Sequence, residues 1–132
     1  MITGSCLCKK VSWRYQIEPK RAVACNCTVC SRHGSMWIYG SQDRDLEIHG
    51  DTRFYLRQDK QNLGFHFCDS CGCTLFWKAI KPNEDGLFTV GINLRQADDP
   101  DQVGRIPLIH YDGLEKYVSV GPKGQTVKDL WH

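Results

Sequence analysis

Eight cysteines in three tight groups constrain this chain more than any other feature of its 132 residues. Cys6 and Cys8 make a C-x-C pair, Cys25, Cys27 and Cys30 a C-x-C-x-x-C cluster, and Cys68, Cys71 and Cys73 a C-x-x-C-x-C cluster. Thiols one or two residues apart bridge each other poorly, yet they converge readily on a single ion. At four thiolates to a tetrahedral ion, the set suggests two zinc ions per chain; iron–sulfur ligation is the minor alternative. A knuckle gives both its sulfurs to one ion, so Cys6 and Cys8 need a distant pair, and Cys68 with Cys71 supplies one at C-x-x-C spacing. That pairing makes a closed, structural site and leaves Cys25, Cys27 and Cys30 as a three-thiol set. Three protein ligands with one replaceable position is the layout of a catalytic zinc. Alternatives stay open at this point. Cys73 is either the fourth ligand of the second site or a free buried thiol. The second zinc either does chemistry or, like the first, only staples a small β domain.

Between the cysteine groups, short stretches alternate apolar and polar residues, as at 11–15 and 46–50, which is the pattern of half-buried strands. Residues 36–40, 53–57 and 87–92 read as further strands, 64–67 runs into the third cluster, and 74–78 leaves it as the hairpin partner. Residues 106–111 read as an edge strand, because Pro107 has no N–H to give a ladder. Helical periodicity is nearly absent: 31–34, closed by Gly34, reads as a helical turn or tight loop, 93–100 as the start of a short helix or a loop, and 127–131 as one helical turn. Many short strands at regular spacing predict a mainly β fold. Without a repeat, a low-complexity run or a linker, one domain over 1–132 is expected.

The composition, 41% hydrophobic and 24% charged, argues against wholesale disorder. A net charge of +2 with no run of Lys or Arg offers nucleic acid no footprint. No apolar stretch reaches the ~18 residues of a membrane helix, and the first residues lack the basic and apolar regions of a signal peptide. The expected location is cytoplasmic, where thiols stay reduced and clustered cysteines serve as metal ligands rather than disulfides.

Three segments resemble a known family in order and spacing. They are Gly4-Ser5-Cys6-Leu7-Cys8, then Cys25-Asn26-Cys27-Thr28-Val29-Cys30 followed by Arg32, then Phe67-Cys68-Asp69-Ser70-Cys71-Gly72 followed by Leu75-Phe76. The family is that of the glutathione-dependent formaldehyde-activating enzyme and centromere protein V, and the resemblance covers about residues 2–112. It implies a β-tent fold, two packed antiparallel sheets pinned by zinc. It also implies a structural zinc on Cys6, Cys8, Cys68 and Cys71, and a second zinc on Cys25, Cys27 and Cys30. The implied activity is that of a zinc-dependent carbon–sulfur lyase: a small thiol, glutathione or a related one, adds to formaldehyde to give S-hydroxymethylglutathione. The chain departs from the family pattern at Ser31, where Arg is common, and at Cys73, where Thr or Ser is common, which marks a divergent branch. Those departures keep an alternative in view, a non-catalytic zinc module that binds a thiol ligand or a protein partner.

Several side chains near the clusters are candidates for the remaining roles. His33 and His66 suit proton transfer near neutral pH. Arg32 follows the central cluster, and its planar fork suits a carboxylate, of which glutathione carries two. Trp37 and Tyr39 are candidates for pocket walls. His49, His110 and His132 carry no spacing signal.

Overall fold

A computed structural model describes residues 1–131, and eleven strands in it form two sheets. The small sheet is antiparallel in the order β1 (Ile2–Ser5), β2 (Ser12–Tyr15), β5 (Leu46–His49). The large sheet is built from β3 (Ala22–Cys25), β4 (Trp37–Ser41), β6 (Arg53–Leu56), β7 (Leu63–Phe67), β8 (Thr74–Ala79), β9 (Thr89–Asn93), β10 (Leu108–Asp112) and β11 (Val118–Val120). Its order is β11-β10-β3-β4-β9-β8-β7-β6, and every neighbouring pair is antiparallel except β10 with β3, which run parallel. Three short helices, α1 (Thr28–His33), α2 (Pro100–Val103) and α3 (Val127–Trp131), and a 3₁₀ turn at Leu94–Gln96 complete the described chain.

The period-two alternation places the core. In β2, Trp13 and Tyr15 are buried while Arg14 is exposed. Trp13, Ile2 and Leu46 from the small sheet pack in one cluster with Ile38, Leu75 and Ile92 from the large one. Burying each such large apolar side chain contributes about 1.5–3 kcal/mol, and this shared core holds the sheets face to face. Strand β9 is buried over four consecutive residues, Val90 to Asn93, because it lies mid-sheet between β4 and β8.

One sequence expectation is corrected. Residues 106–111 do not make an edge strand: β10 lies inside the sheet, between β11 and β3. Pro107 stands just ahead of the strand, where no ladder N–H is required of it, and its carbonyl accepts the Ala22 N–H at 2.8 Å. Strand β11 and the parallel strand β3 carry too little alternation to be read from sequence. No helix among the described residues is long and apolar enough to cross a membrane.

Candidate metal centres and the adjoining cavity

The first thiol group forms where two turns meet. Cys6 and Cys8 lie in the turn from β1 to β2, in which Lys9 adopts a left-handed φ of 64° and its N–H reaches the Cys6 carbonyl at 3.0 Å. Cys68 and Cys71 lie in the turn from β7 to β8, which closes through Gly72 N–H to the Cys68 carbonyl at 2.8 Å, with Gly72 at φ 77°. The four sulfurs lie within 4.8 Å of one another. Cys8 Sγ is 3.6 Å from both Cys6 Sγ and Cys68 Sγ. A tetrahedron with metal–sulfur bonds of ~2.3 Å has S···S edges of about 3.8 Å, so the group fits a tetrahedral ion. The Val11 N–H donates to Cys6 Sγ at 3.4 Å, the kind of contact that supports a ligand thiolate.

Cys73 sits with this first group and not with the second. It packs on the core cluster that contains Cys6 and Cys68, next to Cys71. Its carbonyl accepts the Cys68 N–H at 3.0 Å, and burial pushes its thiol pKa up.

The second group is local. Cys25 ends β3, Cys27 is the N-cap of α1, and Cys30 lies within that helix. A helix starts here because the Cys27 sulfur accepts the Cys30 N–H at 3.3 Å, satisfying one of the unpaired donors of the first turn. It stops at Gly34, whose φ of 61° is the left-handed conformation that a glycine cap supplies, with its N–H on the Cys30 carbonyl. The three sulfurs lie within 4.8 Å of one another, so they too could hold an ion. N–H groups point at all three. Besides the bond to Cys27, the Cys27 N–H reaches Cys25 Sγ at 3.4 Å, and Trp37 Nε1 donates to Cys30 Sγ at 3.3 Å. Burial raises the Cys30 thiol pKa against that indole bond. At Cys27 burial also raises the pKa, but the N–H of Cys30 and its neighbours outweigh it, and the net shift is downward.

The three thiols line a cavity of about 260 Å³. Aromatic side chains dominate the rest of its lining, with Trp37, Tyr39, Phe65 and Trp77 on the sheet and Tyr111 and Tyr117 at the end of β10 and beyond. Burial holds the Tyr39 phenol protonated, reinforced by Cys30 and Cys25. Two cations, Arg57 and Lys60, enter from the turn between β6 and β7.

The turn after β10 is clamped onto the cysteine loop. Asn26 Oδ1 accepts the N–H groups of Gly113 and Leu114 at 2.8 and 3.3 Å, and its Nδ2 donates to Asp112 Oδ1 at 3.2 Å. The Glu115 N–H on Asp112, joined by Asn26 and the N–H groups of Lys116 and Leu114, holds that carboxyl below its usual range. Gly113 is required for the approach: a Cβ there would stand 2.6 Å from Cys25 Sγ. Asn26 lies within the central cysteine motif, which gives it no role of its own, and none of Asp112, Gly113, Arg57 or Lys60 is marked by a motif in the sequence. The only local signal was the Asp112-Gly113 turn dipeptide.

The other candidates fall in different places. Trp37 is 1% exposed and touches both the cavity and the Cys30 sulfur. The structure does not bring Arg32 or His33 into the cavity. Arg32 Nη1 donates to the Thr28 carbonyl at 2.9 Å, His33 Nδ1 lies 2.7 Å from Thr74 Oγ1, and both line a neighbouring groove with Thr28 and Tyr55. His66 is half-buried between the rings of Phe54 and Phe76, 5.0 and 4.5 Å away, with Nδ1 2.8 Å from Thr52 Oγ1. Burial, and then Lys78, brings its pKa from 6.5 to about 4, so it is neutral at pH 7. His49 pairs with Glu47 at 3.5 Å and His110 with Gln125 at 2.6 Å, while His132 lies outside the described residues.

No curated protein matches the chain. A crystal structure of a Rhodobacter sphaeroides protein matches it with a TM-score of 0.60 and 20% identity, over 80% of this chain and 98% of that one, a likeness of fold alone. The model of one family, described as glutathione-dependent formaldehyde-activating enzyme, matches residues 1–106, a span that holds all three thiol groups. With most of its length and every cysteine inside that match, the chain belongs to the family of glutathione-dependent formaldehyde-activating enzymes.

Proposed function

We propose that this protein is a zinc-dependent carbon–sulfur lyase that joins glutathione, or a related thiol, to formaldehyde or another small carbonyl. The observation that carries the reading is the contrast in thiol number and setting. Four sulfurs gather at one centre, whereas three gather at the other, on the wall of a cavity. We assign zinc to both, with Cys6, Cys8, Cys68 and Cys71 as structural ligands and Cys25, Cys27 and Cys30 as ligands at the reacting centre. Bound by these three thiolates, zinc would lower the pKa of an incoming thiol from ~8.5 toward neutral.

The chain's own residues do the rest. The N–H groups of Cys27, Cys30 and Trp37 fix the three sulfurs so that they need not reorganise during turnover. The aromatic lining offers an apolar surface that holds the thiol ligand beside the sulfur cluster. The incoming thiol loses its proton to solvent. Its sulfur then attacks the carbonyl carbon, a C–S bond forms, and the carbonyl electron pair moves to oxygen. That oxygen takes a proton from Tyr39, one of the hydroxyls lining the cavity, and Tyr39 regains a proton from solvent. His33 bonds Thr74 outside the cavity, and His66 is neutral and enclosed by phenyl rings.

The alternative, a non-catalytic module, rests on Cys73 and on the altered loop after Cys30 at Ser31. Cys73 packs beside Cys71 and Cys6, which favours the enzyme reading. The test is the rate of adduct formation from glutathione and formaldehyde with zinc-loaded protein, set against the spontaneous rate. Acceleration that Tyr39→Phe reduces without loss of zinc supports the reading. No acceleration at full zinc occupancy would refute it.

A further inference from the structure

Two cations reach the cavity from a turn that no motif marks, and they are in different states. Arg57 is held in place. Its Nε and Nη2 donate to the two carboxylate oxygens of Asp59 at 2.9 and 2.7 Å, Nη2 lies 3.5 Å from Thr28 Oγ1, and its side chain is 18% exposed. Asp59 therefore offsets most of its charge. Lys60 has no carboxylate partner among the described residues. Its ammonium stands 4.8 Å from the centre of the Tyr117 ring and 3.4 Å from the Tyr117 hydroxyl, which hold it at the cavity from the opposite loop. An ammonium has three donors, so a single phenol leaves Lys60 with unused hydrogen-bonding capacity.

The rest of the lining fits an anion. It contains no Asp and no Glu, so no fixed carboxylate competes for the ammonium. Lys60 is exposed at the rim of the cavity, and with Arg57 it puts two cations and no anion on one cleft, which raises the local attraction for an anionic ligand. An ionised acceptor makes a hydrogen bond roughly twice as strong as a neutral one, so a ligand carboxylate outcompetes the Tyr117 hydroxyl. Arg32, the candidate that its sequence position suggests for this task, is turned into another groove.

We propose that Lys60 is a specificity-determining residue of the thiol cavity: it takes a carboxylate of the incoming thiol, with Arg57 fixed beside it as a second donor surface. The site thereby selects thiols that carry an acid group over neutral thiols of similar size. Tyr117 is the positioning residue that keeps the ammonium at the cavity when no carboxylate is there. The inference rests on the reading of the cavity as a thiol site, and its test separates the two.

S-methylglutathione retains both carboxylates but cannot offer a thiolate, so its binding reports carboxylate recognition alone. It is titrated by calorimetry into zinc-loaded wild-type protein, Lys60→Met and Lys60→Arg, and the glutathione–formaldehyde kinetics of the same preparations are measured. Lys60→Met should weaken S-methylglutathione binding and raise KM for glutathione by about tenfold, the loss of one charge-assisted bond, with kcat within about twofold. Lys60→Arg should restore most of the affinity, and added salt should weaken binding to the wild type far more than to Lys60→Met. Unchanged S-methylglutathione affinity and unchanged KM in Lys60→Met, at wild-type zinc content, overturns the proposal, as does a failure of the wild type to bind S-methylglutathione. If binding depends on Lys60 but no adduct formation is accelerated, the enzyme reading fails and the carboxylate receptor stands.

Discussion

The two thiol centres use the same side chain for opposite mechanical purposes. The first joins turns that belong to different sheets: Cys8 and Cys68, 60 positions apart, have sulfurs 3.6 Å from each other. The second draws all its sulfurs from residues 25–30, so that it closes almost no chain. Closing a long loop removes conformational freedom from the unfolded chain, and a metal that does so returns that entropy as stability. A centre within six residues has little such leverage and is free to serve a cavity instead. Burial does not separate the two. Cys6 and Cys68 are 2% and 1% exposed in the main core, but Cys8 is exposed and Cys71 half-buried, while at the second centre Cys30 is buried and Cys25 and Cys27 are half-buried beside the cavity.

The sharpest way to break this comparison is to remove one ligand from each centre. Cys68→Ser should cost stability on the order of several kcal/mol and leave little folded protein, because the link between the sheets goes with the metal. Cys27→Ser should leave a folded chain with one zinc fewer and no catalysis. Thermal unfolding together with a zinc count checks both, and equal loss of stability in the two variants would erase the distinction.

A second, smaller perturbation reaches the cavity centre without touching a ligand. Gly113→Ala places a methyl where 2.6 Å separates it from the Cys25 sulfur, so either the loop after β10 or the sulfur must move. The expected result is loss of the second zinc with the first retained, read as one rapid and one slow phase of metal release to a chelator. Trp37→Phe should have a milder effect, removing only the indole N–H from Cys30. Metal affinity at the second centre should fall by about 10- to 100-fold with the first centre unaffected, as for other partners of ligand atoms.

The smallest effect is a pH dependence that belongs to the scaffold on the first centre's side. His66 lies on β7, two residues before Cys68, with its pKa lowered to about 4. Above pH 6.5 it is neutral in both folded and unfolded states. Between pH 6.5 and about 4 the unfolded chain takes up a proton that the folded chain refuses, so stability falls as pH falls through this window. Asp112, with its carboxyl held below 3.8, acts only at lower pH. Chemical denaturation of wild type against His66→Gln across pH 4–7 isolates the term, since acid loss of metal is common to both. Identical slopes would remove His66 as its source.

Much of this was legible in the sequence where the determinant is local. The C-x-C and C-x-x-C spacings marked the thiol groups, and the alternation around Trp13 and Tyr15 marked a half-buried strand that the structure contains. Gly34 marked the end of the helical turn. What was not legible depends on contacts between distant segments. Whether Pro107 lies at an edge depends on β3 and β11, which sit on either side of β10 and carry weak patterns. Spacing left Cys73 as either the fourth ligand of the second centre or a free buried thiol, and the packing of the β7–β8 turn on the core puts it beside Cys71 and Cys6. Arg57, at the end of the 53–57 strand reading, and Lys60 carried no signal in the sequence because the chain they face, residues 111–117, lies more than fifty positions away.

The most direct test of the central claim, a closed first centre and an open second one, is cadmium NMR of the protein loaded with cadmium and titrated with glutathione. The account predicts two resonances, one unmoved by the thiol and one that shifts as the thiol enters, with Cys27→Ser abolishing the second alone. A single resonance, or two that both ignore glutathione, would contradict it.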